Sequence, residues 1–163
     1  MALSTILKHL YDGTLTLSDG TGAAVTLAVP FDVGDVSVEG LQQTQREVTA
    51  YETRGVLNTV RHTKRSYPSG SFSVQLPEYM NAVAGNVVDF LMKTNGYSAN
   101  VSTLVPTEVY AVDIILTTEG TDQGDAKDHV ITMTDCACVA SIAEGEPNTV
   151  NVSFTCYGTV TRS

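Results

Sequence analysis

From Thr149 to Cys156 the chain alternates without a slip: Val150, Val152, Phe154 and Cys156 fall on one side, Asn151, Ser153 and Thr155 on the other. Successive side chains of a strand point to opposite faces, so the stretch Thr149 to Val160 reads as a strand with one face in a core and one in water. Such a strand cannot stand alone; it demands a sheet, and the sheet demands cover for its apolar face. The rest of the sequence supplies the sheet. Leu15 and Leu17 alternate with Thr14, Thr16 and Ser18, a turn follows at Asp19-Gly20-Thr21-Gly22, and Val25, Leu27 and Val29 resume the period. Further β-type runs, rich in Val and Thr and punctuated by glycines, cover Val33 to Glu39, Arg46 to Val60, Ser71 to Leu76, Glu108 to Thr118 and His129 to Ile142.

The period changes once. Met80, Val83, Val87, Phe90 and Leu91 recur at three- and four-residue steps, with Glu78 in the first turn, Lys93 in the last and Asn95-Gly96 as a left-handed stop. One amphipathic helix over 78–94 is predicted, its stripe buried against the sheet. The expected fold is therefore mainly β, an antiparallel β-sandwich or barrel of about eight strands with one α-helix packed on it.

With 163 residues the chain is read as a single domain, 1–163. Nine Lys and Arg against 18 Asp and Glu give a net charge of −9, which argues against a surface that holds nucleic acid by neutralising phosphates. Apolar runs are too short for a membrane span, so no membrane anchor is expected, and the opening MALSTILKHLYDG lacks the basic start and cleavage site of a signal peptide. Assembly in a cytoplasm is the expectation.

Chemistry is poorly supported. Cys136, Cys138 and Cys156 with His129 lack the paired Cys-x2-Cys spacing of a closed zinc site, and Asp122, Asp125 and Asp128 lack the order of a calcium loop. Neither a Gly-x-Ser-x-Gly elbow, a phosphate loop nor a His-Glu-x-x-His pair occurs. No enzyme, no catalytic or metal-binding residue and no cofactor is expected. The thiols are expected to be reduced, and the hairpin register follows from the loop. A three-residue loop Gly145-Glu146-Pro147 sets Ile142 opposite Val150 and Cys136 opposite Cys156, whereas a two-residue loop would turn Asp135 inward.

One local feature remains. Arg54, Arg61, Lys64 and Arg65, with His62 among them, form a twelve-residue stretch without an acid, leaving 18 acids against 5 bases elsewhere. Either this is a solvated loop, or it is a basic protrusion that docks on the acidic surface of another copy.

The order of these features resembles that of the tail tube, or major tail, proteins of tailed bacteriophages. The pieces are the N-terminal hairpin, the basic stretch TRGVLNTVRHTKRSYPSGSFSVQLPE, the single helix EYMNAVAGNVVDFLMKTNG and the C-terminal hairpin ITMTDCACVASIAEGEPNTVNVSFTCYGTV. The resemblance implies a structural subunit of a virion tail that forms hexameric rings, stacked into a hollow conduit around a tape-measure protein and closed by tail-end proteins. It implies that inner sheets join into one barrel, with the helix outward. It also implies that a projecting loop, here 54–69, reaches the next ring through Arg54, Arg61, His62, Lys64, Arg65 and Tyr67. Polar strand positions, Asp113 and Thr117 on one strand and Asn151, Ser153 and Thr155 on another, become lumen candidates past which DNA slides without binding. A tube protein of a contractile secretion or injection machine has the same shape. A sandwich-type binding module is the alternative from another class, opposed by the absence of Trp from the chain.

Overall fold

The computed structural model describes residues 13–21, 36–75, 86–106, 108–118, 120, 126–146 and 148–163, together with the backbone of 26–29. Ten strands are described: β1 (Gly13–Ser18), β2 (Thr26–Val29), β3 (Val36–Glu39), β4 (Arg46–Thr53), β5 (Val56–Arg65), β6 (Ser69–Gln75), β7 (Val112–Thr118), β8 (His129–Ala143), β9 (Thr149–Cys156) and β10 (Val160–Arg162). One α-helix, α1 (Val87–Met92), lies between β6 and β7.

Eight of the strands form one antiparallel sheet, in the order β2-β1-β7-β8-β9-β6-β3, with β10 added alongside β8. The fold is mainly β with one helix, and the sheet curls instead of splitting into two facing layers. Leu15 and Leu17 of β1 share a buried cluster with Phe72 and Val74 of β6, although three strands separate β1 from β6 in the sheet. Flat strands at about 4.8 Å spacing would hold these pairs some four spacings apart. Curling brings the faces together, and Met133, Val150, Val152, Phe154 and α1 fill the space between.

The hairpin register follows the loop as expected: Ile142 pairs with Val150, Cys138 with Phe154 and Cys136 with Cys156. Strand β8 nevertheless breaks its own period. Val112 pairs with Cys136 but Ile114 with Met133, so one extra residue is inserted on β8, and Asp135 sits there with φ 57. This is a β-bulge, which keeps both Met133 and Cys136 inward although they are three residues apart. The Asp113 carboxylate pins it by accepting the Asp135 N–H at 3.0 Å.

The helix is shorter than its pattern. Asn86 has extended backbone and caps α1, its side chain accepting from the N–H groups of Val88 and Asp89, while Asp89 reaches back to the Asn86 N–H. Phe90 is fully buried and Val87 nearly so, and Leu91 packs against the same core; Glu78, Met80, Val83 and Gly85 lie outside the described residues. The helix stops on Lys93, left-handed at φ 57, two residues ahead of Asn95, which is left-handed as expected at φ 53. Two strand boundaries also differ. The run at Arg46–Val60 is two strands joined by a turn at Arg54-Gly55, and the C-terminal run is interrupted at 157–159 between β9 and β10.

Candidate assembly surfaces

Strands β4 and β5 form a two-stranded sheet of their own, separate from the body. Both central residues of their turn, Arg54 and Gly55, have positive φ, 52 and 77, as a type I′ hairpin turn requires. Every residue of β4 is exposed, and on β5 only Thr59 and Thr63 are partly covered. The basic stretch is thus the second strand of a projecting arm.

Pairing brings Val48 opposite His62, Ala50 opposite Val60 and Glu52 opposite Leu57, all on one face of the ribbon. Val48, Val60 and Leu57 are each more than half exposed. This apolar stripe on a two-stranded ribbon stands in water, with nothing among the described residues to cover it. The pairing also supplies acids that the basic stretch lacks in sequence: Lys64 forms an ion pair with Glu47 of β4, 3.4 Å apart and largely exposed. Arg54, Arg61 and His62 lie along the exposed arm, Arg54 in its turn.

Arg65 belongs to the arm's root. Its guanidinium donates to the carbonyl oxygens of Tyr157 and Gly158, at 3.0 and 2.8 Å, and its carbon lies 5.3 Å from the centre of the Tyr67 ring. Tyr67 in turn packs on Tyr157, ring centres 5.0 Å apart. The buried Pro68 accepts the Cys156 N–H through its carbonyl, 2.8 Å, and Gln42 bridges the Arg46 carbonyl and the Ser66 hydroxyl. Two residues expected to meet a neighbour, Arg65 and Tyr67, therefore also hold the arm to its own body.

A second surface lies on the face of the sheet opposite the core. Asn151, Ser153 and Thr155 of β9 stand there between Ser69, Ser71 and Ser73 of β6 and Ala137, Val139 and Ser141 of β8, with Ser37 and Glu39 of β3 beyond. These residues line two shallow grooves, and no Lys or Arg is among them. Asp113 and Thr117 are on β7, beyond β8, and both are half-buried. Burial pushes the Asp113 carboxyl above its ordinary range, opposed by the Asp135 N–H it accepts. The structure thus unites the three β9 candidates in one hydroxyl-rich wall and leaves the β7 pair apart. Sequence reasoning missed the arm's apolar stripe and the Tyr67–Tyr157 joint; the alternation of Val48, Ala50 and Glu52 was its only signal.

Among the described residues no group of three or more His, Cys, Asp or Glu is arranged to hold a metal ion, and no helix is long and apolar enough to cross a membrane.

No family model and no curated protein sequence matches the chain. Solved structures do resemble it. A chain of the sheath-tube complex of the extracellular contractile injection system PVC, in its extended state, superposes with a TM-score of 0.59 at 10% identity, covering 99% of both chains. A chain of the sheath/tube terminator of the same system gives 0.57 at 11% identity, over 100% of this chain and 97% of that one. A chain of the six-fold symmetrised baseplate of the anti-feeding prophage (AFP) gives 0.51 at 9% identity, again over 100% and 97%. At such identities the likeness is one of fold, and it spans the whole of each chain: this protein has the fold of chains from contractile injection assemblies.

Proposed function

We propose that the chain is a structural subunit of a tail-like tube, whose copies stack head to tail with the β4–β5 arm of one reaching the next. The observation that carries this reading is the placement of opposite charges at opposite ends of the same strands. The arm leaves the body where Ser69 pairs with Thr155, and the β8–β9 turn with Glu144 and Glu146 lies beyond the other end, where Gln75 pairs with Thr149. Six residue steps separate those ends, about 20 Å at the usual rise of a strand. A copy displaced along the strands presents its acids to the arm's Arg54, Arg61 and His62, and its body to Val48, Leu57 and Val60. Rings of such subunits, hexameric in the phage tubes it resembles, form a conduit. The hydroxyl-rich wall around Ser153 is the lumen surface in this reading, and a wall without cations gives a passing polyanion no foothold. A tape-measure protein inside and tail-end proteins at the tips are the partners this role requires.

Likeness to chains of PVC and AFP supports a contractile injection machine beside a phage tail as the parent assembly. Negative-stain microscopy of the purified protein tests the reading. Rings or tubes are expected, and Arg61→Glu with Leu57→Asp is expected to abolish them while the subunit stays folded. Monodisperse monomers at high concentration, or unchanged tubes from the double variant, would overturn it.

A further inference from the structure

The bulge in β8 does something besides keeping the period. It turns the Thr134 carbonyl toward two thiols: the Cys156 sulfur lies 3.1 Å from that oxygen and the Cys136 sulfur 3.9 Å from it. Cys136 also reaches the Met133 carbonyl at 3.5 Å. Both side chains are fully buried and both thiols are free.

The backbone defines which kind of cross-strand pair this is. Cys156 gives its N–H to Pro68, on the β6 side, while the next residue, Tyr157, gives its N–H to Asp135 on β8. Toward β8, then, Cys156 and Cys136 occupy a non-hydrogen-bonded site, the closer of the two antiparallel arrangements, with Cα atoms about 4.5 Å apart. That falls inside the range of about 4.4 to 6.8 Å that a disulfide spans. Cys138 pairs with Phe154 and stands diagonal to Cys156, where Cα atoms are about 7 to 8 Å apart.

We propose that Cys136 and Cys156 are an oxidation site that closes into a disulfide between β8 and β9, with Cys138 a bystander. The oxidant is a small peroxide. One of the two sulfurs, as its thiolate, attacks one peroxide oxygen, the O–O bond breaks, hydroxide leaves and a sulfenic acid remains. The other sulfur then attacks the sulfenic sulfur, an S–S bond forms, and the sulfenic oxygen leaves as water with the second thiol's proton. Two electrons pass from the thiols to the peroxide. Burial pushes the bystander Cys138 up to about 12, which keeps it a thiol. The bridge forms beside the root of the arm, since Cys156 holds Pro68 and its neighbours hold Arg65.

The test treats the folded full chain with hydrogen peroxide, alkylates remaining thiols under denaturing conditions, and reads intact mass and digest by mass spectrometry. Wild type and Cys138→Ser are expected to lose two hydrogens and yield a Cys136–Cys156 linked peptide, with one alkylatable thiol left in wild type and none in Cys138→Ser. Three alkylatable thiols in oxidised wild type, a link that involves Cys138, or a link between two chains would each overturn the proposal. Because wild type and Cys138→Ser carry the reading, a failure of Cys136→Ser or Cys156→Ser to fold leaves the result intact.

Discussion

The body and the arm are written in the same alternating pattern, yet they end in opposite environments. In β9 every second residue from Val150 to Cys156 is buried, whereas in β4 nothing is, although Val48 and Ala50 keep the same period. Alternation states that a strand has two unlike faces; it does not state what covers the apolar one. In the body the cover is the curled remainder of the sheet and α1. In the arm no element among the described residues provides it, and a copy of the same protein is the occupant we propose.

This contrast makes graded predictions. Phe90→Ala, which empties a fully buried site, is expected to lower unfolding free energy by about 3 to 5 kcal/mol in chemical denaturation of the monomer. A loss below about 1 kcal/mol would show that α1 does not close the core. Gly70→Ala comes next, because its Cβ would meet the Ser37 carbonyl and the Phe154 ring; about 1 to 3 kcal/mol is expected, with the loss spread over the whole melt. Gly55→Ala has open space but a φ of +77, so about 1 kcal/mol of strain falls on the arm alone. Amide exchange should quicken in β4 and β5 while the body's midpoint holds; a shift of that midpoint would mean that arm and body unfold as one. Leu57→Asp is expected to move monomer stability by less than about 0.5 kcal/mol, since the residue is already in water.

The smallest effect concerns pH. The pKa of Asp113 is raised in the folded state, so its contribution favours folding below the ordinary carboxylate range and is lost as pH rises through the raised value. Asp113→Asn keeps an oxygen for the Asp135 N–H and removes the buried charge. The variant should melt slightly higher than wild type at neutral pH and the two should converge in acid; convergence at neutral pH instead would place the charge in full solvent.

Where the sequence was legible, two signals agreed. The β8–β9 register needed both: the loop left two lengths open, and the apolar match chose the one the structure shows. The arm's turn carried no such agreement. A type I′ turn favours Asn or Gly first, and here that position is Arg54, so the break between β4 and β5 was hidden inside one long β-type run. The bulge at Asp135 was illegible for the opposite reason. Its only mark is a left-handed aspartate, a residue that tolerates the conformation without announcing it. As for the candidate surfaces, Asn151, Ser153 and Thr155 were readable from alternation on a single strand. The division of labour along the basic stretch was not, because only the fold shows that Arg65 is held by Tyr157 and Gly158.

The arm also sets how the protein meets a protease. A two-stranded ribbon without a covered face opens locally at little cost, and cleavage of such a segment follows its opening equilibrium. Trypsin has Arg54, Arg61, Lys64 and Arg65 to choose from along β5 and its turn, all exposed. A cut there leaves both fragments knitted together, since β3 pairs with β6 and β1 with β7 across the gap. The nicked subunit would then elute and melt as a whole molecule while having lost its reach. In a population of subunits, a few such silent stumps would act as chain terminators, ending growth wherever one is built in.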